Sequence, residues 1–280
     1  MTDRDPSRTA LGTAYIRAVH QLLDGEPRIL EDPVAIPLLG PAALRRITDA
    51  PDRYRTPESK ALRAHVVLRS RFAEDRLAAA MPRKIAQYVI LGAGFDTFAL
   101  RQPEWALGLK IVEVDHSGTQ GEKRSRIAAA GLAMPENVEF VDIDFEHESL
   151  DDGLTRCGLS VELPTFFSWL GVMMYLNKDA IDAVLRSVAA FPLGSEIVLT
   201  FRQAPQPGNG SPSALAERVA HLGEPFVSFF EPHELDAKLR SAGFSKVEFL
   251  SPTEAEERYF RQRPKDLPIP QRTSIVSAIV

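Results

Sequence analysis

Short apolar runs that alternate with helical segments constrain the fold of this chain more than any other feature of its sequence. Five such runs follow one another from residue 85 onward: AQYVILGAG, LKIVEVD, NVEFVDIDF, LPTFFSWLGV and SEIVLTFR. Strands that are apolar at almost every residue are typical of a parallel sheet with helices on both faces. Two later runs, KVEFLSP and RTSIVSAIV, predict a final pair of strands. The pattern therefore predicts an α/β fold around a mostly parallel sheet.

The first 80 residues have a different, helical pattern. Apolar residues recur at helical spacing in LGTAYIRAVHQLL and ALRAHVVLRSRFAEDRLAAAM, without strand-like alternation. We therefore expect a helical N-terminal cap over residues 1–82 and one compact α/β unit over residues 83–280. Helices of that unit are predicted in DTFALRQPE, SGTQGEKRSRIAAAGL, KDAIDAVLRSVAAF and EPHELDAKLRSAGF. Asn177 would cap the third of these helices, and Gly131 and Gly243 would end the second and the fourth.

Charge and composition exclude several classes of protein. The 280 residues include 33 basic and 38 acidic side chains, a formal net charge of -5, whereas a nucleic-acid binder needs a basic excess. No apolar stretch reaches the roughly 20 residues of a membrane span, and the polar start MTDRDPSRTA lacks the core of a signal peptide. The single cysteine, Cys157, excludes an intrachain disulfide and a cysteine-cluster metal site. We expect a cytoplasmic protein without nucleic-acid, membrane or metal partners, and its oligomeric state stays open.

The segment VILGAGFD marks a ligand-binding turn after the first strand. Gly92 and Gly94 allow a tight turn and let a ligand lie against bare backbone at the edge of the sheet. A dinucleotide-binding fingerprint would place a third glycine where Thr97 stands, and Asp96 would repel a pyrophosphate. An acid in this turn instead favours a ligand with a positive charge, such as the ammonium of S-adenosylmethionine.

Acidic residues follow the next two strands. Glu113 and Asp115 come about 20 residues after the glycines, the spacing at which a carboxylate binds the ribose of a nucleoside ligand. Asp115 is nearer the carboxyl end of its strand, so we favour it over Glu113. After the third strand, Asp142 could accept a hydrogen bond from an adenine amino group, and Ile143 could pack on the ring.

Longer segments carry a more specific signal: ALGTAYIRA, ILEDPVA, RSRFAED, VILGAGFDTFALR, VEVDHSGTQGEKRSRIAAAGL, VDIDF, FFSWLGVMMYL and PFVSFFEPHELDAKLRSAGF. In these segments the chain resembles the S-adenosylmethionine-dependent methyltransferases related to leucine carboxyl methyltransferase, including a bacterial branch that acts in polyketide and other secondary metabolism. The resemblance covers most of the chain. It implies a class I methyltransferase with a Rossmann-like, mostly parallel seven-stranded sheet, a helical N-terminal cap and S-adenosylmethionine as cofactor.

The resemblance also implies which residues bind the cofactor. They are Gly92, Ala93 and Gly94 for the methionine part, Asp115 for the ribose, Asp142 and Ile143 for the adenine, and Arg69 for the carboxylate. His116, beside Asp115, is expected to line the adenosine pocket.

One position departs from the family pattern. Many relatives carry a glutamate where this chain has Leu170, in SWLGVMMYL. A cofactor contact from that glutamate cannot be carried over, which leaves Ser168 and the backbone of Trp169 as candidates near the sulfonium. The departure favours the secondary-metabolism branch over a protein-modifying one.

We therefore predict an O-methyltransferase that acts on a carboxylate or hydroxyl of a small molecule, such as a polyketide. Tyr175 and Arg202, near the ends of the fourth and fifth strands, could face the acceptor, and the Pro/Gly-rich residues 203–213 could form a lid. No histidine is identified as a base, and His147 and His221 are the first to test. The alternatives are a protein C-terminal carboxylate or a nitrogen as acceptor, an NAD-dependent oxidoreductase, and a non-catalytic nucleoside-binding scaffold.

Overall fold

The central sheet consists of seven strands, as predicted. The structure is a computed structural model, and it describes residues 6–204 and 214–280. The strands are β1 (Gln87–Leu91), β2 (Lys110–Asp115), β3 (Val138–Asp142), β4 (Thr165–Trp169), β5 (Glu196–Thr200), β6 (Lys246–Phe249) and β7 (Ile275–Ile279). Their order is β3-β2-β1-β4-β5-β7-β6, with β1 to β5 parallel and β7 antiparallel to both β5 and β6. The predicted mostly parallel α/β fold is confirmed.

Helices cover both faces of the sheet. The described helices are α1 (Arg8–Leu23), α2 (Ala35–Leu39), α3 (Pro41–Asp49), α4 (Pro57–Ala80), α5 (Ser117–Ala129), α6 (Leu150–Arg156), α7 (Lys178–Ala189), α8 (Ala214–His221), α9 (Pro232–Ala242) and α10 (Pro252–Ala255). The predicted ends are confirmed, since the Asn177 side chain accepts from the Ala180 N–H and Gly131 and Gly243 have φ of 65° and 118°.

The strand residues alternate between two cores. In β1, Val89 and Leu91 belong to the core on the α6, α7 and α9 side, whereas Tyr88 and Ile90 belong to the core on the α4 side. This burial on both faces is the reason that the strands read as continuous apolar runs. None of the helices in the described residues has the length and apolarity that a membrane crossing requires.

The prediction of a helix in DTFALRQPE is wrong. The structure has two short 3₁₀ turns there, Phe98–Leu100 and Glu104–Ala106. Two side-chain bonds hold the chain in this form: the Asp96 carboxylate accepts from the Phe98 N–H at 2.8 Å, and the Thr97 hydroxyl donates to Asp32 at 2.7 Å. Local side-chain bonds of this kind compete with a regular helix.

The first three helices pack together over one end of the sheet. Apolar residues of α1, α2 and α3 form a cluster that includes Phe95 of the glycine turn and Ile127 of α5. α4 is joined to the end of α1 by a buried ion pair, in which the Arg63 guanidinium donates to the Asp24 carboxylate at 2.6 and 2.8 Å. The cap is therefore anchored to the turn that follows β1.

Candidate functional site

The glycine turn lies at the carboxyl end of β1 in a tight left-handed conformation. Gly92 and Gly94 have φ of 64° and 52°, which residues with a side chain rarely adopt. A Cβ atom at Gly92 would lie 2.2 Å from the Cγ2 of Val172. Between them Ala93 is buried and donates its N–H to the Val114 carbonyl at 2.9 Å. Both glycines are thus required by the backbone, Gly92 also by the close approach of the segment after β4 and Gly94 by that of Ala10 of α1, 3.1 Å from where its Cβ would lie.

Asp115 binds the backbone of this turn. Its carboxylate accepts from the N–H of Gly94 and from the N–H of His116, the latter at 2.7 Å. Burial raises the pKa of Asp115 above its ordinary value despite these two bonds. A carboxylate has about four acceptor positions, so two backbone bonds leave capacity for ribose hydroxyls.

Glu113, the other acid of β2, has a different environment. It is 1% exposed and forms an ion pair with Lys123 of α5, whose side chain is equally buried. Glu113 therefore joins a strand to a helix inside the protein, and the structure brings Asp115, rather than Glu113, to the glycine turn.

The residues at the end of β3 lie beside the end of β2. Asp142 pairs with Asp115 in the parallel register and is exposed. Ile143 donates its N–H to the Asp115 carbonyl at 3.1 Å, but its side chain is buried against α6, 2.0 Å from where a Cβ of Gly153 would lie. The Ile143 side chain is therefore buried against α6, and its packing on an adenine ring stays a prediction.

Two histidines flank Asp144, which lies two residues after the end of β3. The His116 Nε2 lies 3.3 Å from an Asp144 carboxylate oxygen, and the His147 Nδ1 lies 2.8 Å from it. This contact places His147, whose side chain is 77% exposed, near the carboxyl end of β3. His221 is exposed on α8, where its Nδ1 contacts the Glu217 carbonyl at 2.7 Å.

Arg69 of α4 points at the segment that follows β4. A Cβ atom at Gly171 would lie 2.4 Å from its Nη1, so the guanidinium lies directly on the glycine backbone. Within residues 6–204 and 214–280 the guanidinium has no hydrogen bond and no ion pair. Burial lowers the pKa of Arg69 from 12.5 to about 10. Asp96 attracts this charge from a distance but forms no ion pair with it, so the desolvated guanidinium is a binding position for an anion.

A charged residue of α1 contacts the glycine turn. Arg17 of α1 donates to the Phe95 carbonyl, and its Nη1 lies 3.6 Å from the Asp96 carboxylate. Burial tends to raise the pKa of Asp96, but the positive charges of Arg17, Lys123 and Arg101 hold it below its ordinary value. The acid that we expected to meet a ligand ammonium is therefore ionised and already has a partner in Arg17.

Asp32 connects the cap to the same turn. It is fully buried, accepts from the Thr97 hydroxyl at 2.7 Å, and caps α2 through the Ala35 N–H at 3.1 Å. Sequence reasoning missed this function of the ILEDPVA segment. The position of Asp32, immediately before a proline and a short helix, could have indicated a helix cap. It could not have indicated the bond to Thr97.

The start of α1 is bound by a glutamate from the other end of the chain. Glu224 accepts from the Arg8 N–H at 3.0 Å, from the Ser7 hydroxyl at 3.2 Å and from the Thr9 hydroxyl. The Ser7 N–H donates to the Thr119 hydroxyl of α5 at 3.1 Å. α1 therefore lies over the glycine turn, and its N-terminus is held by two separate parts of the α/β unit.

Tyr175 and Arg202 are brought together with two residues that the sequence did not single out. The Arg202 guanidinium lies 4.3 Å above the centre of the Phe226 ring, and the Tyr175 ring lies 5.4 Å from the same ring. His65 of α4 lies close enough to Arg202 and Arg69 for burial and both positive charges to lower its pKa from 6.5 to about 3. This group contains arginines and a neutral imidazole, without a side chain suited to act as a base near pH 7.

Two candidates near the end of β4 lie in the apolar core. The Ser168 hydroxyl is buried and contacts the Tyr88 hydroxyl at 2.9 Å. This contact turns the Ser168 side chain toward the α4 side of the sheet, because alternate strand residues face opposite sides. Leu170 packs on the same apolar cluster. The Trp169 indole N–H is buried without a hydrogen-bond partner among the described residues.

The remaining expectations concern metal binding and the lid. Within the described ranges, no group of three or more histidine, cysteine, aspartate or glutamate residues is arranged to hold a metal ion. Of the expected lid at 203–213, residues 205–213 lie outside the described residues.

Comparison with known proteins agrees with this site. The model of the leucine carboxyl methyltransferase family matches residues 10–189. A Bacillus subtilis protein named as an S-adenosyl-L-methionine-dependent methyltransferase, YktD, is 30% identical over 295 residues, covering 95% of each chain. A protein from Mycobacterium marinum with the same activity in its name is 27% identical and covers 81% of this chain and 76% of its own.

Solved structures support the fold. A Thermobifida fusca protein described as a methyltransferase superposes with a TM-score of 0.58, 16% identity and coverage of 99% of this chain and 96% of its own. A protein of the duf574 family from Streptomyces avermitilis gives a TM-score of 0.56, 16% identity and 96% coverage of both chains.

The residues at the carboxyl ends of the strands fit the cofactor that these relatives use. Gly92 and Gly94 offer bare backbone, Asp115 retains acceptor capacity for hydroxyls, and Arg69 of α4 offers a buried positive charge for the carboxylate. The match over residues 10–189 covers more than half of the chain. The chain belongs to the leucine carboxyl methyltransferase family and is an S-adenosyl-L-methionine-dependent methyltransferase.

Proposed function

We propose that this methyltransferase forms a methyl ester on the carboxylate of a small molecule, such as a polyketide or another secondary metabolite. The observation that carries the proposal is the charge of the group around Tyr175. Arg69 and Arg202 lie near this residue, and the only imidazole close to both arginines, among the residues described, is held neutral with a pKa of about 3. The arginines attract an anion, the imidazole is too weak a base near pH 7, and the nearby Glu224 carboxylate already accepts hydrogen bonds from the start of α1.

The chemistry of an ester-forming transfer suits this group. When bound, S-adenosylmethionine supplies an electrophilic methyl group on a sulfonium. A carboxylate with a pKa of about 4 is ionised at neutral pH, so it can attack without transferring a proton. The protein has to align the acceptor and exclude water, and α1, which covers the glycine turn, supports the second task.

A hydroxyl acceptor is the second candidate for the oxygen that is methylated. It would benefit from a base, and the two histidines suggested by the sequence are poorly placed for this task. His147 contacts Asp144 at the end of β3, and His221 contacts a carbonyl of its own helix. A protein carboxylate and a nitrogen acceptor remain further alternatives. Membership of the methyltransferase family replaces the oxidoreductase alternative.

The test is to measure release of S-adenosylhomocysteine with panels of small carboxylic acids and phenols at several pH values. We expect turnover with acids, a product cleaved by mild alkali, and a rate that stays level from about pH 6 to 8, because the acid is ionised throughout. His147→Gln and His221→Gln should not change this profile. A rate that rises about tenfold per pH unit, or a product that resists alkali, would show that the acceptor is a hydroxyl.

A further inference from the structure

We propose that Arg202, Phe226 and Tyr175 form an acceptor subsite that selects acids with a flat apolar body. This proposal rests on the proposed function and names the substrate class of the same site. Arg202 would hold the carboxylate, and the two rings would contact the body of the acceptor. Phe226 lies in the quoted segment PFVSFFEPHELDAKLRSAGF, and the role proposed for it follows from its position in the structure.

The three side chains are arranged as a stack. The Phe226 and Tyr175 ring centres are 5.4 Å apart with an angle of 35° between their planes, and the Arg202 Cζ lies 4.3 Å from the Phe226 centre. All three side chains are partly exposed, so a bound molecule can reach them. Partly exposed aromatic rings can contact another planar group by a face or an edge. The Arg202 guanidinium makes a cation–π contact with Phe226, and its planar fork of N–H donors is suited to bind a carboxylate with two bonds.

Backbone hydrogen bonds fix the three residues relative to one another. The Val227 N–H donates to the Met174 carbonyl at 2.8 Å, which ties the residue after Phe226 to the residue before Tyr175. The Phe230 N–H donates to the Arg202 carbonyl at 2.9 Å. The stack is thus held in place by the main chain of all three segments, whereas a chance surface contact would depend on side chains alone.

The charges around the stack favour an anion. Arg272 and Tyr175 lie near Arg202, and burial together with Arg272 lowers the pKa of Arg202. The acid near Tyr175 is Glu224, whose carboxylate accepts three hydrogen bonds from the start of α1. Its negative charge is therefore already hydrogen-bonded by the cap, and an acceptor carboxylate meets mainly positive charge.

The stack is also next to the position expected for the cofactor. Arg69, which lies on Gly171, is close enough to Tyr175 for its charge to act on the phenol. Val172, between Gly171 and Tyr175, contacts the Gly92 position of the glycine turn. A single short segment therefore connects the cofactor position to the acceptor stack.

The experiment measures binding of two carboxylic acids, the planar aromatic trans-cinnamate and the aliphatic hexanoate, to the full-length protein saturated with S-adenosylhomocysteine, by calorimetry. Phe226→Leu keeps apolar volume but removes the ring. Arg202→Lys keeps the charge but removes the planar fork. Arg261→Lys, a 64% exposed arginine paired with Glu257, is the matched control.

We expect cinnamate affinity to fall about tenfold or more in both stack variants, and hexanoate affinity to fall in Arg202→Lys only. Binding of S-adenosylhomocysteine and the melting temperature should stay unchanged, as in Arg261→Lys. Cinnamate binding that is unchanged in both variants, or absent from the wild-type protein at about 1 mM, would overturn the subsite. Loss of S-adenosylhomocysteine binding in both variants would also overturn it. Turnover of phenols but not of acids would overturn the proposed function separately.

Discussion

Replacing Arg69 by methionine should stabilise the protein without ligand and weaken its binding of the cofactor. The guanidinium is desolvated and lies on the Gly171 backbone, with no hydrogen bond or ion pair to any residue in the described part of the chain. Methionine has a similar length and removes the charge. The same change that relieves a cost in the free protein therefore removes the counter-charge for a bound carboxylate.

The magnitude follows from the change in the pKa of Arg69. One pKa unit corresponds to about 1.4 kcal/mol, so a fall from 12.5 to about 10 means that burial disfavours the charged form by roughly 3 kcal/mol. This figure already includes the attraction of Asp96, and partial exposure of the side chain reduces the net gain. We expect the free energy of unfolding to rise by about 1 to 2 kcal/mol, or the melting temperature by about 2 to 5 °C.

The loss of cofactor affinity should be larger. A hydrogen bond between charged groups contributes about 1.5 to 3 kcal/mol, which corresponds to a roughly 10- to 150-fold rise in Kd. S-adenosylhomocysteine at about 100 times the wild-type Kd stabilises the wild-type protein by about 2.7 kcal/mol, and the same concentration should stabilise Arg69→Met by about 1.4 kcal/mol or less.

The assay is thermal and urea-induced unfolding of both proteins with and without S-adenosylhomocysteine. Arg71→Met is the matched control, because Arg71 is 44% exposed on the same helix and pairs only with Asp75 in the described residues, at 2.8 Å. It should change the unfolding free energy by less than about 0.5 kcal/mol and leave the ligand effect intact. A less stable free Arg69→Met with an unchanged ligand effect would refute the reasoning.

Three further predictions concern other residues of the site. Because the pKa of His65 is about 3 in the folded chain, the unfolded state alone takes up its proton, and stability should fall as pH drops from 6.5 to about 4. His65→Gln should reduce that slope in urea titrations and the exposed-residue control His221→Gln should not; equal slopes would contradict the assignment. Asp115→Ala should weaken cofactor binding by about 2 to 4 kcal/mol in calorimetry, and normal binding would exclude its role. Glu224→Ala should reduce hydrogen-exchange protection in the first turn of α1 roughly 2- to 30-fold, whereas Glu217→Ala leaves it unchanged. Unchanged protection in Glu224→Ala would mean that these bonds do not hold the helix.

The sequence predicted the strands well because burial on both faces requires apolar residues at nearly every position. Tyr88 and Val89 are neighbours in the chain and lie in different cores, and both positions had to be apolar. The segment after β1 was mispredicted because its conformation depends on a long-range bond. Thr97 donates to Asp32, 65 residues away, and this bond has no trace in local periodicity.

The position of the acidic residue at the end of β2 was also predictable. In a parallel sheet the carboxyl ends of neighbouring strands meet at one edge, so an acid at the end of β2 has to lie near the turn that follows β1. Local pattern therefore sufficed to bring Asp115 to the glycine turn, where its carboxylate accepts from the Gly94 N–H. It did not show that Glu113, two residues earlier, is paired with Lys123 inside the protein.

The sequence by itself thus determined the class of fold, the family and the edge of the sheet at which the candidate site lies. The tertiary structure decided what surrounds that edge. Glu224 reaches the start of α1 across 215 or more residues, and the ring of Phe226 reaches Arg202 from a separate segment. Such contacts depend on how helices and loops pack after the sheet has formed, and hydrophobic periodicity carries no information about them, because it records only which face of an element is buried.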